Sequence, residues 1–285
     1  MYIPCLFLVH KHSVNDSVYA LLRYLAVVDM LSLQICAVLT GILTIRGEVF
    51  CSNSDLIYLA GAVGLGLYGS TLLTTILLVF NRCAELLDAR VNQIAFSPNM
   101  MNFWMVALSI YGAIFTFFTV PIKFNSIYPS WFLSPYPGYE EKVDDTYSNL
   151  LYFFSTTIEA SALIALYMFF CNVYVIFFTA EQVKEAANTV KRNFQVRTFV
   201  QVYLISMFTV FSCVMSVSTS YVPPSKGYAV VAQFFWIFMH GVPAVLYFAL
   251  NRTLQRELPN MIRSCWNYFT GGSKAKVAVD ANRIG

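Results

Sequence analysis

Three ionisable side chains, those of Asp29, Glu159 and His240, lie within long apolar runs of the sequence. Asp29 is in the middle of RYLAVVDMLSL, and His240 precedes a glycine and a proline in WIFMHGVPAVLY. A carboxyl group or an imidazole in hydrocarbon is costly unless it is paired, so each of the three is a candidate functional residue. The expected partners of Asp29 are Thr71, Thr74, His240 or an ordered water. A neutral, hydrogen-bonded packing role for Asp29 is the alternative.

The types and spacing of the residues indicate neither an enzyme nor a metal site. The three histidines are scattered, and the seven cysteines form neither a CxxC pair nor a regular disulfide spacing. An intramembrane enzyme would need His, Asp or nucleophile pairs in register, and the sequence shows no such pairs. We therefore expect no catalytic residue, no metal and no cofactor. The net charge of +3 gives no indication of a nucleic-acid partner.

The composition indicates that these residues are surrounded by a lipid bilayer. Hydrophobic residues make up 58% of the chain and charged residues 12%, against about 45–50% and about 25% in soluble domains. A helix that spans the bilayer needs about 20 consecutive, mostly apolar residues. Six segments meet this requirement, at residues 18–45, 56–79, 101–120, 150–178, 198–222 and 228–250.

The stretch MYIPCLFLV, ahead of these segments, is too short to span the bilayer. We interpret it as the end of a further helix, so the predicted fold is an all-α membrane bundle of seven transmembrane helices with the first mostly missing. An uncut six-helix protein with a short apolar N-terminus is the alternative. Lysine and arginine are in excess in cytoplasmic loops, and one set of loops holds only Arg46, Lys123, Lys142 and Lys226. This bias predicts a cytoplasmic C-terminus and, with a complete first helix, an extracellular N-terminus.

We predict one transmembrane domain over residues 1–270 and a disordered cytoplasmic tail over 271–285, where Gly, Ser, Lys and Ala dominate. Between 251 and 269, apolar residues recur at helical spacing beside arginines. This pattern predicts a short amphipathic helix on the inner leaflet. Cys265 in that helix is a candidate for S-acylation, with a plain free thiol as the alternative.

The run LLVFNRCAELLDARV places Arg82 at the inner end of an apolar segment. The bias of basic residues toward the cytoplasm would by itself account for an arginine here. Glu85 follows three residues later on the same helical face, where it can pair with Arg82. We predict that this pair restrains Arg82 at rest.

Several strings of the sequence resemble a known receptor family. The Asp of LAVVDM, the Arg of FNRC and the Pro–Tyr region that ends the last span resemble the rhodopsin-like G-protein-coupled receptors. More specifically, YIPCL, GEVFC, NRCAEL and HGVPAVLYFALN resemble the nematode serpentine chemoreceptors of class T, up to about Asn251. The resemblance implies a multi-pass receptor of the plasma membrane that binds a small extracellular ligand and activates a heterotrimeric G protein.

The resemblance also implies roles for individual residues. Asn81, Arg82 and Cys83 stand where the broader family has an Asp-Arg-Tyr triplet and, with Glu85, would face the G protein. The implied intramembrane switch consists of Asp29, His240, Pro243 and Tyr247. The sequence departs from the broader pattern because Asn81 replaces the acid, Val242 replaces the Asn before the proline, and the sixth span lacks a Trp-x-Pro motif. These departures put the standard switch mechanism in doubt.

A ligand pocket between the outer halves of the helices would include the candidates Tyr68, Glu159, Gln233 and Trp236, each with bundle packing as its alternative role. The aromatic-rich loop 125–149 either covers this pocket or lies at the membrane interface, where Trp and Tyr are enriched. We favour the interface. The loop contains no cysteine, so we expect Cys51 to stay free or to pair with a cysteine upstream of this sequence.

Two other functions stay open at this point. A secondary transporter of a small solute would show internal repeats and broken helices in matching positions, and the two halves show no repeat. The glycine-rich string GAVGLGLYG is better explained by close helix packing. A receptor without its first helix could also lack signalling activity.

Overall fold

The computed structural model describes Leu6, residues 17–87, 89–137, 147–182, 189–219 and 225–250, and the separate residues Gln255, Pro259, Arg263 and Asn267. Among these described residues, six helices are long and apolar enough to cross a membrane. Large apolar side chains are exposed on the outside of the bundle, with Phe118 81% and Phe117 76% accessible. The predicted all-α, multi-pass fold is confirmed.

The helices follow one another in this order: α1, Ser17–Leu33; a π-helical turn, Gln34–Leu39; α2, Thr40–Arg46; α3, Ser54–Leu87; α4, Ala89–Ala95; α5, Pro98–Phe118; α6, Leu150–Gln182; α7, Thr189–Ser218; and α8, Lys226–Leu250. The first span is continuous from α1 through the π-helical turn to the end of α2. The remaining spans lie in α3, α5, α6, α7 and α8.

Local signals set the helix ends. α2 ends at Arg46, before Gly47, whose φ of 68° is a left-handed conformation that glycine adopts without a Cβ clash. α5 begins at Pro98, where the missing N–H would have had no intrahelical partner. The same helix ends before Thr119, which is extended. The predicted segment 101–120 therefore overran α5.

Helix α3 is the central helix of the bundle. Of its most apolar window, 72% is buried, whereas the corresponding fractions for the other five spans lie between 22% and 39%. α3 contacts α1, α5, α6 and α7. Because protein surrounds it on several sides, α3 can connect groups near one end of the bundle with groups near the other.

Two glycines allow α3 and α5 to cross closely. A Cβ added at Gly66 would lie 2.0 Å from Thr116 Oγ1 and 2.5 Å from the carbonyl oxygen of Gly112. A Cβ added at Gly112 would lie 2.2 Å from Ser70 Oγ. No side chain fits at such distances, so the interpretation of GAVGLGLYG as a packing element is confirmed.

The first span is widened by the π-helical turn Gln34–Leu39. The Thr40 hydroxyl donates to the carbonyl oxygen of Ile35 at 2.9 Å, five residues earlier. A π-helical turn is uncommon and occurs mostly as a single wide turn inside an α-helix, frequently at a functional site. It changes which residues of this span face α8.

The segment between α5 and α6 forms a β-hairpin rather than an irregular surface loop. β1, Lys123–Asn125, pairs antiparallel with β2, Ser130–Phe132, with Phe124 opposite Trp131. Val49, between α2 and α3, forms a further antiparallel bridge to Asn125. Residues 123–132, called the hairpin below, contact α3 through β1 and α8 through β2, so the hairpin covers one end of the bundle.

Several predictions concern residues outside those that the structure describes. They are the N-terminal stretch apart from Leu6, the thiol of Cys265 and the tail 271–285. Of the proposed helix over 251–269, only Gln255, Pro259, Arg263 and Asn267 are described, and all four are helical and exposed. The amphipathic helix stays a prediction.

Candidate functional site

Asp29 and His240 form a buried pair between α1 and α8. His240 Nδ1 lies 2.8 Å from Asp29 Oδ1, and both side chains have 0% exposure. Trp236 Nε1 donates to His240 Nε2 at 3.1 Å. An Nε2 that accepts a hydrogen bond carries no proton, so the ring proton is on Nδ1 and is donated to Asp29. Of the partners expected for Asp29, the structure contains the contact with His240.

The two threonines considered as partners of Asp29 are hydrogen-bonded within α3. Thr71 donates to the carbonyl oxygen of Leu67 at 3.1 Å, and Thr74 donates to that of Ser70 at 2.5 Å. A threonine hydroxyl in a helix commonly binds the carbonyl four residues earlier in this way. These hydroxyls are oriented by α3 itself.

Pro243 and Tyr247 lie one and two turns beyond His240 on α8, toward the Arg82 end. Pro243 is inside the helix, which continues to Leu250 without an interruption. Tyr247 is 1% exposed and belongs to the apolar core around Leu78 and Leu163. The four residues expected to form a switch therefore lie on two contacting helices, α1 and α8.

A small cavity lies between the hairpin and the helices. Its lining consists of Leu65, Tyr68, Ile122, Ser130, Trp131, Phe132, Leu133, Tyr152, Ser216, Thr219, Ala232, Gln233 and Trp236. The space open to water-sized molecules is about 60 Å³. Ligand pockets are usually about 300–1,000 Å³, so this cavity is small for a ligand site. We call it the hairpin cavity.

Three of the four predicted pocket residues, Tyr68, Gln233 and Trp236, line the hairpin cavity. Glu159 is not among the lining residues of this cavity, and its pocket role stays a prediction. Glu159 is seven residues beyond Tyr152, which places it about 10 Å further along α6. Its carboxyl group accepts a hydrogen bond from the Tyr111 hydroxyl of α5.

The Trp131 side chain fixes the hairpin onto the first span. Its Nε1 donates to Thr40 Oγ1 at 2.8 Å, next to the π-helical turn. Its ring is perpendicular to that of Trp236, with a centroid distance of 6.4 Å. Trp131 is 7% exposed, so the membrane-interface interpretation of this loop was wrong for Trp131, and the covering role fits.

A second set of hydrogen bonds links the hairpin, α8 and the first span. Ser130 Oγ donates to Gln233 Oε1 at 3.2 Å, and Gln233 Nε2 donates to the carbonyl oxygen of Cys36 at 2.7 Å. Cys36 is in the π-helical turn. We call these two hydrogen bonds the outer latch. Gln233 and His240 are seven residues apart on α8, as are Cys36 and Asp29 on the first span, so the two helices are joined at two levels.

Lys123 supports the base of the hairpin. Its Nζ donates to the carbonyl oxygen of Leu133 at 2.8 Å and lies 4.8 Å from the centroid of the Tyr147 ring. Burial lowers the pKa of Lys123 below its usual value, since removal from water disfavours the charged form. The carbonyl contact and the cation–π contact both compensate the charge.

At the opposite end of α3, two neighbours hold Arg82. Glu85 Oε2 lies 2.6 Å from Arg82 Nη1, and Asn81 Oδ1 accepts hydrogen bonds from Nη2 at 2.7 Å and from Nε at 3.3 Å. Asn81 Nδ2 in turn donates to Ser17 and Asn92. Asn81 therefore restrains Arg82 without a carboxylate, because an amide oxygen accepts hydrogen bonds as a carboxylate does.

The residues expected to face a G protein are mostly buried in this conformation. Asn81 is 0% exposed, Arg82 7% and Cys83 3%, whereas the Glu85 side chain is 47% exposed. Cys83 follows Arg82 by one residue and so points about 100° away around the helix, into the core with Leu78 and Val79. Among the described residues, the Arg82 end of the bundle is closed.

Comparison with known proteins identifies the family. The protein-family model described as "Serpentine type 7TM GPCR chemoreceptor Srt" matches residues 1–268. The chain belongs to this chemoreceptor family. It is also similar to Serpentine receptor class T-55 of Caenorhabditis elegans, with 22% identity over 262 residues, 92% of this chain and 69% of the relative. The resemblance to class T serpentine receptors is confirmed.

In this class T receptor, sequence reasoning found the polar residues of the helices but missed the other residues that line the hairpin cavity. Ser130, Trp131 and Tyr152 were not predicted as pocket residues individually. The number of aromatic residues in loop 125–149 was the available signal, and it suggested a cover without saying which ring would be buried. No sequence pattern indicated the π-helical turn or its contact with Gln233.

Proposed function

We propose that this receptor binds a small ligand from outside the cell in the hairpin cavity and activates a heterotrimeric G protein near Arg82. One observation carries the proposal: Trp236 lines the cavity and also donates to His240, which binds Asp29. A molecule that moves the Trp236 ring would alter a buried pair that joins α1 to α8. The family supports the receptor role.

The proposed orientation puts the hairpin outside and the Arg82 end in the cytoplasm, at the plasma membrane. The scarcity of basic residues in the loops at the hairpin end supports it. In this orientation the closed Arg82 end corresponds to a resting state. Activation would separate Arg82 from Asn81 and Glu85 and expose it to the G protein, as α1 and α8 change their contact.

The test measures nucleotide exchange on a G protein with reconstituted receptor and a panel of small molecules. Trp236→Phe removes the hydrogen bond to His240 and keeps most of the ring. We expect it to reduce the maximal evoked exchange at least tenfold. Trp104→Phe is the matched control, because Trp104 Nε1 donates to the carbonyl oxygen of Ala95, away from the hairpin cavity.

Equal evoked exchange in the Trp236→Phe variant and the wild type would contradict the proposed signal path. Solute flux through the reconstituted protein without nucleotide exchange would support a transporter instead.

A further inference from the structure

The walls of the hairpin cavity favour an uncharged ligand. None of the lining residues that the structure describes carries a charge. Lys123 and Glu159 are not among the lining residues. Lys123 donates to the carbonyl oxygen of Leu133, and Glu159 accepts from the Tyr111 hydroxyl. A charged ligand would lose its hydration here without gaining a counter-charge from the described lining, which is strongly unfavourable.

The same walls favour a ligand with an apolar body. Five aromatic side chains line the cavity, those of Tyr68, Trp131, Phe132, Tyr152 and Trp236. The open space of about 60 Å³ is smaller than the cavity of about 150 Å³ that holds benzene in an engineered protein core. A ligand of more than a few atoms therefore has to displace part of the lining, to which the hairpin contributes Ser130, Trp131 and Phe132.

The outer latch presents one acceptor to such a ligand. Gln233 uses its amide nitrogen for the carbonyl oxygen of Cys36 at 2.7 Å, which directs Oε1 toward the hairpin. Ser130 approaches Oε1 at 3.2 Å, longer than the 2.7–2.8 Å or so that is typical of O–H···O hydrogen bonds. A ligand hydroxyl that reaches this oxygen would compete with Ser130 for it.

We propose that the receptor selects an uncharged small molecule that carries a hydroxyl group, which donates to Gln233 Oε1 in place of Ser130 and so opens the outer latch. The inference rests on the proposed function, because it takes the same cavity as the ligand site. A ketone of the same shape has no proton to donate, so it would leave the outer latch closed. Gln233 is then the residue that determines ligand specificity.

The experiment measures binding without a G protein. Purified full-length receptor in lipid nanodiscs is heated with primary alcohols, with the matching methyl ketones, and with carboxylic acids and amines of the same chain length. A saturable rise in Tm reports binding to the folded state. We expect alcohols to bind about fivefold more tightly than the matching ketones, the effect of one net hydrogen bond. We expect no saturable shift with the charged compounds.

Three variants separate the latch from general effects on the hairpin. Ser130→Ala removes the competing donor, so the preference for alcohols over ketones should rise a further fewfold. Ser126→Ala changes a serine of the same hairpin that does not line the cavity, and should leave the preference unchanged. Gln233→Met removes the acceptor, so the preference should disappear.

The proposal is overturned if ketones bind as well as alcohols, if the preference is the same in Ser130→Ala and Ser126→Ala, if an acid or amine binds most tightly, or if no compound binds. The comparison of Ser130→Ala with Ser126→Ala tests the proposal even if Gln233→Met does not fold. Alcohol binding without nucleotide exchange would contradict the proposed function and leave this inference standing. Nucleotide exchange in response to acids or amines would support the proposed function and contradict this inference.

Discussion

Arg82 shows how single residues can hold one end of the receptor closed. The guanidinium group is bound by an amide from Asn81 and a carboxylate from Glu85, and it is 7% exposed. Asn81 is fixed in turn by Ser17 and Asn92. Because Glu85 is partly exposed, its ion pair is screened by water and is worth about 0.2–1 kcal/mol. The amide contacts are more buried and are the firmer part of this restraint.

The Glu85→Ala variant is expected to raise ligand-free G-protein activation about twofold, since loss of a half-exposed ion pair shifts a two-state equilibrium by about that factor. Asn81→Ala, which also removes the contacts to Ser17 and Asn92, should raise it further. Basal nucleotide exchange per receptor is the measurement. Asp55→Ala removes a carboxylate at the other end of α3 and serves as the control. Unchanged basal exchange in Glu85→Ala would show that the pair does not restrain Arg82.

Sequence reasoning at the residue scale succeeded where the helix fixes the spacing. The pair between Arg82 and Glu85 follows from a separation of three residues on one helix. The contact between Asp29 and His240 joins residues 211 positions apart, so the sequence could offer it only as one of several alternatives. The burial of Cys83 depends on how α3 is rotated within the bundle, which one helix alone does not determine.

At the scale of elements, the crossing of α3 and α5 depends on the absence of side chains. Gly66 and Gly112 bring the two backbones close enough that an added Cβ would meet Thr116 or Ser70 at 2.0 and 2.2 Å. The resulting contact lies on the buried central helix. Any separation of the two helices here would disturb the lining of the hairpin cavity at Leu65 and Tyr68, which lie one and two residues from Gly66 on α3.

Gly66→Ala is expected to destabilise the receptor by about 1–3 kcal/mol, because overpacking forces α3 and α5 apart. Gly41→Ala is the matched control: Gly41 is also helical, but an added Cβ meets no atom within 4 Å. Alanine has the higher helix propensity, by about 1 kcal/mol, so Gly41→Ala should keep or raise the stability. Thermal unfolding in nanodiscs compares the two. An equal Tm for both variants would contradict the close crossing.

The helices were predictable because long apolar runs have few other solutions in a bilayer. The hairpin was less predictable, since its strands have only three residues each and are held by Trp131 and Ser130 contacts to distant helices. The π-helical turn Gln34–Leu39 could not be predicted, because no residue pattern distinguishes it from the rest of the apolar run. It is maintained by tertiary contacts of Cys36 and Thr40.

At the scale of the whole molecule, the described residues form two closed ends joined by α3 and α8. The hairpin closes one end over a cavity lined by Trp131 and Trp236, and the contacts of Arg82 close the other. The buried pair of Asp29 and His240 lies between them. Leu33 packs against the apolar cluster at each end, so a change at one end can reach the other through packed side chains.

The proposed orientation of the molecule can be tested at Cys51, a free and exposed thiol at the hairpin end. A membrane-impermeant maleimide added to intact cells should label the wild type, and Cys51→Ser should lose most of this label. Cys171→Ser, which removes a half-buried thiol of α6, should retain it. Labelling that requires permeabilised cells would place the hairpin in the cytoplasm and invert the topology.

The π-helical turn has a consequence for how relatives of this receptor are aligned. Such a turn accommodates one residue more than the α-helix it interrupts, and each residue of an α-helix turns the chain by about 100°. A relative whose first complete span is α-helical throughout must have one residue fewer at positions 34–39 if its Asp29 and Thr40 counterparts are to face the same neighbours. An alignment without a gap there would match residues on different faces of the helix.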